Sequence, residues 1–94
     1  MKFYIYIITN KPKGVLYIGL TKDLKRRKYQ HKNKIHPTTF SARYNLDKLV
    51  YFETFKNEEA ARLREKRMKK WNRDWKIELI EKNNPKWKDL YNNL

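Results

Sequence analysis

Tyr6, Tyr17, Arg27 and His31 fall within one stretch near the start of the chain, FYIYIITNKPKGVLYIGLTKDLKRRKYQH, residues 3 to 31. Arginine grips phosphate oxygens through two parallel N–H bonds, and histidine or tyrosine passes protons, so the group suits a phosphodiester. Arg27 and His31 are four residues apart and share one face of any helix that contains them. Tyrosine is a poor base at its free pKa of about 10. It needs a nearby cation to act as one, and Arg27 qualifies. Taken singly, each of these residues is also ordinary in a small basic α+β domain.

Two strand-like runs must position the tyrosines. Phe3 to Thr9 and Val15 to Leu20 are rich in β-branched and aromatic residues, and Asn10, Pro12 and Gly14 between them supply turn chemistry. The pair predicts an antiparallel hairpin with a loop of about 4 to 5 residues. If Thr9 pairs with Gly14, Tyr6 stands directly opposite Tyr17. A slip of one residue puts the two on opposite faces, and the turn residues permit either register. Gly19 weakens the second strand unless something comes close to its backbone, and a substrate phosphate is a candidate for that neighbour. The helix LKRRKYQHK follows, with Thr21 or Asp23 placed to cap it.

The chain has 94 residues, 39% hydrophobic and 15% aromatic, enough for one modest core, so residues 1–94 are expected to form one domain. A net charge of +14 points to a polyanion, and nucleic acid is the usual one. An acidic membrane surface competes for that charge. Against it, no run of 18 or more apolar residues and no lipidation pattern occurs. The chain begins directly in a strand-forming run, so no signal peptide is expected. Zero cysteines exclude disulfides, thiol catalysis and thiolate zinc sites and fit a cytoplasmic protein.

Residues 32 to 39 read as a loop holding His36 and Pro37, and residues 40 to 45 as one helical turn whose Arg43 and Tyr44 either stack on a base or anchor the loop. Asp47 to Phe55 predicts a third strand, with Leu49, Tyr51 and Glu53 on one face and Val50, Phe52 and Thr54 on the other. Glu53 reads as a solvated rim charge. Asn57 caps a helix with Glu58 and Glu59 at its positive end. Its apolar stripe runs through Ala61, Met68, Trp71 and Trp75, interrupted by Arg64. Glu65 sits at the stripe's edge, where it either faces a cleft or simply pairs with Lys69 or Arg62. Arg73 to Lys82 predicts a further short helix with Trp75, Ile77, Leu79 and Ile80 as core candidates, although KIELI also fits a strand. Pro85 ends it, and Trp87, Leu90 and Tyr91 dock back on the sheet.

Several of these segments resemble the GIY-YIG nuclease family, specifically small single-domain bacterial members related to the N-terminal domain of the excision-repair nuclease. Ile5-Tyr6 stands at the end of the family's first tripeptide, with Tyr4 in place of glycine, and Tyr17-Ile18-Gly19 matches the second unchanged. Lys22-Asp23-Leu24 with Arg27 and His31 is similar to the segment that follows. Ala61 to Glu65 with Lys69-Lys70-Trp71 resembles the helix carrying the family's metal-binding glutamate, and Asn84 to Leu90 resembles the tail of its small members. Leu20 stands where some members carry a lysine, so a phosphate contact there falls to another residue such as Lys22.

The resemblance implies an α+β fold, a three-stranded antiparallel sheet flanked by helices in the order β-β-α-β-α-α. It implies a DNA endonuclease with one divalent ion, Mg²⁺ or Mn²⁺, on Glu65, and no small-molecule cofactor. Tyr6 and Tyr17 would hold or deprotonate water, Arg27 would bind the phosphate, and His31 would orient or relay a proton. Asn84 is the choice for the family's late asparagine, with Asn72 and Asn83 as rivals. Lys22, Arg26, Arg43 and Lys69 are expected to contact DNA, branched or damaged forms among the candidates, in a bacterial cytoplasm without a membrane partner. A non-catalytic nucleic-acid-binding module with the same fold is the alternative. Small size also fits an accessory protein that docks on another factor.

Overall fold

The computed structural model describes residues 2–32 and 44–93, without the side chains of residues 28, 30–32 and 93. Among these residues the elements are β1 (Phe3–Thr9), β2 (Leu16–Thr21), α1 (Leu24–Lys32), β3 (Lys48–Phe55), α2 (Glu58–Lys70), α3 (Arg73–Asn83) and a closing 3₁₀ turn (Leu90–Asn93). The sheet is antiparallel in the order β2-β1-β3, and the expected succession β-β-α-β-α-α is the one observed. KIELI lies in α3 and is helical. His36 and Arg43 fall outside the described residues, as does most of the turn expected over residues 40 to 45.

The hairpin loop is longer than its turn residues suggest. Thr9 pairs with Leu16, not Gly14. Lys13 takes a left-handed backbone at φ 55, Gly14 donates its N–H to Lys11 O at 2.9 Å, and the Asn10 carboxamide accepts from Val15 N at 3.0 Å. Arg73 at the start of α3 donates to the loop carbonyls of Lys13 and Gly14. The register therefore shifts by two residues, which preserves the facing of every side chain. Tyr6 lies opposite Gly19 and Tyr17 opposite Ile8, so the two tyrosines share a face as diagonal neighbours.

Central position makes β1 the spine of the core, with Ile5, Ile7 and Ile8 fully buried. One face of the sheet packs Ile5, Ile7 and Ile18 against Ala61 and Met68 of α2, Ile80 of α3 and Trp87. The other gathers Tyr6, Ile8 and Leu49 with Leu24 of α1, Leu46 and Tyr91. The pairing of β1 with β3 shifts between Ile7 and Ile8, which leaves Val50 as an extra residue. This irregularity breaks the simple alternation expected for β3: Val50 joins Tyr51 in the core beneath α2, and Leu49 joins the Tyr6 side.

Of the two expected caps of α1, Asp23 takes the position, its Oδ1 accepting from Arg26 N at 3.0 Å, while Thr21 Oγ1 accepts from Asp23 N at 3.1 Å and closes the turn before the helix. Asn57 caps α2, accepting from Ala60 N at 3.2 Å. Asn72 caps α3 in the same way, on Trp75 N at 2.9 Å. Because α2 ends at Lys70, the stripe expected to run on to Trp75 is cut. Trp75 is 56% exposed, its ring set edge-on to Trp71, and is not a core residue.

Glu53 is not a solvated rim charge. Arg64 of α2 grips it through two bonds of 3.0 and 2.9 Å, the Tyr51 hydroxyl donates to it, and the guanidinium lies 5.0 Å from the Trp71 ring. The arginine that interrupts the apolar stripe thus ties α2 to β3. Burial alone would raise the Glu53 carboxyl, but the bonds from Arg64 and Tyr51 and the charge of Arg64 together hold it below the ordinary carboxylate range. The unfolded chain, with its higher pKa, takes up this proton first, so the contribution is complete above about pH 4.3 and fades as pH falls through the folded value. Denaturant melts across this acid window should show Glu53→Gln losing less stability on acidification than the parent. Parallel losses would mean that the pair does not control the acid limb.

Gly19 is explained by a neighbour within the fold. A Cβ there would lie 2.3 Å from the Tyr6 hydroxyl oxygen and 2.4 Å from Cζ, so the close approach is made by the Tyr6 ring rather than by a ligand. Tyr6 itself is buried, at 1% exposed. Gly19→Ala should cost about 1–3 kcal/mol, the scale of overpacking, read as a lowered urea midpoint. An unchanged midpoint would show that the ring moves freely.

Candidate active site

The tyrosine pair sits on the β1–β2 ladder, with ring centroids 6.4 Å apart and planes tilted by 48°. Tyr6 is buried above Gly19, whereas Tyr17 is partly exposed at the edge strand. Arg27 projects from the first turns of α1, which Asp23 and Thr21 fix directly after β2. Glu65 comes from α2, with its side chain 20% exposed.

Electrostatics links these four groups. Burial raises the Tyr6 hydroxyl well above its ordinary value, Arg27 opposes that rise, and Tyr17 and Glu65 add to it. Tyr6 thus lies within the field of a cation from one helix and a carboxylate from another, and it holds its proton at neutral pH. Tyr91 joins the same group. Its hydroxyl is raised by burial and by Tyr6 and Asp89, with Arg27 again opposing. Sequence spacing shows Tyr91 only as a docking residue; the fold brings it beside Tyr6 because Asp89 Oδ1 accepts from Leu49 N at 3.2 Å and from Tyr91 N at 3.0 Å.

The remaining expected residues divide. His31 lies on α1 four residues after Arg27, and its side chain is outside the described residues. Lys22, Arg26 and Arg27 line one cleft of about 460 Å³ at the start of α1. The Lys22 ammonium also lies 5.7 Å from the centre of the Phe3 ring. Lys69 pairs with Glu65 at 3.2 Å, which is the ordinary helical pairing.

Asn84 is 5% exposed and occupied by backbone: its amide donates to Val50 O at 3.0 Å and Lys88 O at 2.9 Å, and its oxygen accepts from Lys88 N at 3.0 Å. These bonds fasten the end of α3 to β3 and do not reach the tyrosines. Its rivals are similarly engaged, Asn72 as the cap of α3 and Asn83 on Leu79 O at 2.9 Å.

No group of three or more histidine, cysteine, aspartate or glutamate side chains suited to an ion occurs among the described residues. A single partly exposed carboxylate at Glu65 still suits a hard cation that keeps most of its water shell. Such an ion would displace the Lys69 ammonium, a cation already drawn to the same oxygen. The donor set fits Mg²⁺ or Mn²⁺ and not a cation that requires a cage of protein ligands.

Residues 2–78 match the GIY-YIG catalytic domain. UPF0213 protein CPE1444 of Clostridium perfringens (strain 13 / Type A) is 39% identical over 77 residues, covering 82% of this chain and 81% of that protein. No solved structure matches. The register that pairs Tyr6 with Gly19, the capped helix that presents Arg27 and the match over residues 2–78 agree, and the chain belongs to the GIY-YIG catalytic domain family.

Proposed function

We propose that this chain is a divalent-metal-dependent endonuclease that hydrolyses phosphodiester bonds in DNA. The observation that carries the reading is that Tyr6, its ring tilted against that of Tyr17, lies within the electrostatic reach of both the Arg27 cation and the Glu65 carboxylate. Hydrolysis needs a proton acceptor for water, a cation for the charge that develops on the phosphoryl oxygens, and help for the leaving oxygen.

Arg27 grips two phosphate oxygens and stabilises the transition state. Tyr17, the more exposed of the pair, reaches the attacking water. Tyr6, buried beside it, retains its proton and backs Tyr17, which helps to hold the water in place. Tyr91 backs Tyr6 from the closing turn. His31, one helical turn beyond Arg27, orients or relays a proton. Glu65 would hold one Mg²⁺ or Mn²⁺, whose charge, when it is bound, neutralises the phosphate and acidifies coordinated water. Asn84 supports the site by fixing the end of α3. Lys22, Arg26, Arg43 and Lys69 provide phosphate contacts. One domain suffices for this work, and branched or damaged DNA in a bacterial cytoplasm, in repair or recombination, is the setting proposed. No helix among the described residues is long and apolar enough to cross a membrane.

The second reading, a binding module that does not cut, is favoured by one observation: Lys69 already occupies the Glu65 carboxylate. Glu65→Gln separates the two. It keeps the residue's shape and helix propensity but removes its charge, so DNA affinity in EDTA should hold or rise slightly while cleavage in Mn²⁺ collapses. Arg27→Ala should lower cleavage at least about 100-fold, and Arg27→Lys should restore only part because the two-pronged grip is lost. Wild-type protein that binds branched, nicked and linear DNA but cuts none would favour the binding module. A cutting enzyme indifferent to Glu65→Gln would place the ion elsewhere.

A further inference from the structure

We propose that the cleft between the start of α1 and the start of α2 is a second phosphate site, which holds a backbone phosphate of the strand beside the one at the tyrosine pair. This deepens the nucleic-acid reading above and rests on it. The cleft, of about 460 Å³, is lined by cations from two elements far apart in sequence, Lys22, Arg26 and Arg27 on one side and Arg62 on the other. Arg27 belongs to both places, since it lines this cleft and acts electrostatically on Tyr6. Sharing Arg27 puts this opening next to the phosphate that Arg27 would grip, where the neighbouring phosphate of the same strand would meet Lys22, Arg26 and Arg62.

Two carboxylates also face the cleft, and neither closes it to an anion. Asp23 is engaged with the Arg26 backbone N–H, as the cap of α1. Glu58 pairs with Arg62 at 2.9 Å, but the two side chains are 44% and 65% exposed. Exposed pairs one helical turn apart are weak. A backbone phosphate, with one charge shared over two free oxygens, offers Arg62 the same two-pronged grip as a carboxylate and takes it from this weak pair at little cost, and the positive end of α2 favours it further. Glu58 is thus a built-in competitor for the site, holding Arg62 at the cleft until a strand arrives.

The experiment is fluorescence-detected binding of the full chain to labelled duplex DNA in EDTA across a salt series, with circular dichroism to check folding. Arg62→Ala should flatten the plot of log K against log salt by about 0.9, the contribution of one phosphate contact. Arg67→Ala is the matched control: it removes the same charge from an exposed position on α2 about 140° further round the helix, and should change the slope far less. Glu58→Gln should tighten binding about twofold, the worth of an exposed pair, and by more than Glu59→Gln, an exposed neighbour in the same helical turn. Equal effects of Arg62→Ala and Arg67→Ala, or of Glu58→Gln and Glu59→Gln, would overturn the cleft and reduce the charge to a diffuse field. No readout here depends on cleavage, so the cleft fails separately from the nuclease. Wild-type protein that binds no DNA overturns both.

Discussion

The Tyr6 ring lies against the backbone of Gly19, and much of the site depends on that contact. Any side chain at position 19 would occupy the volume of the ring. The packing fixes the register of β1 on β2, and with it the facing of Tyr17 and the point at which β2 hands over to α1. Thr21 then closes the turn on which Asp23 caps that helix, so Arg27 is delivered to the tyrosines by a strand and a capped helix rather than by a long loop. Burial holds the Tyr6 hydroxyl in its protonated form, and the Arg27 guanidinium opposes part of that upward shift.

The carboxylate side is held by a different device. Arg64, the residue before Glu65, spends its guanidinium on Glu53 and lies against Trp71, so α2 is fastened to β3 by a directional pair in addition to Ala61 and Met68 in the core. That fastening limits how far α2 can rotate, and therefore where Glu65 points. The chain is small and strongly basic, and its fold uses three of its few acidic residues, Asp23, Glu53 and Asp89, for caps and ties. Glu65 remains available to the site, opposed only by Lys69 among the ion pairs of the described residues.

Most of the architecture is legible in the sequence because its signals are local. Alternation, turn residues and the Asp23 and Asn57 caps give the hairpin, α1 and α2, and the Tyr17-Ile18-Gly19 match gives the family. What escapes is set by backbone conformation inside the loop and by contacts between distant residues. The loop is longer because Lys13 adopts a left-handed backbone, the Asn10 side chain closes the turn and Arg73 braces it from α3. The shift at Val50 inverts the facing of Leu49, a change that alternation cannot report. Glu53 reads as a rim charge because its partner lies eleven residues away on another element, and Tyr91 enters the site from the far end of the chain.

Whether Tyr17 and Glu65 serve one reacting centre is the claim on which the functional reading turns. A double-variant cycle tests it most directly: single-turnover cleavage of labelled DNA in Mn²⁺ by wild type, Tyr17→Phe, Glu65→Gln and the double variant. Groups that act as a unit on one water are strongly non-additive. The double variant should therefore be little slower than the worse single variant. Rate losses that multiply would contradict a shared centre and show that the tyrosine and the glutamate act in separate steps or separate places.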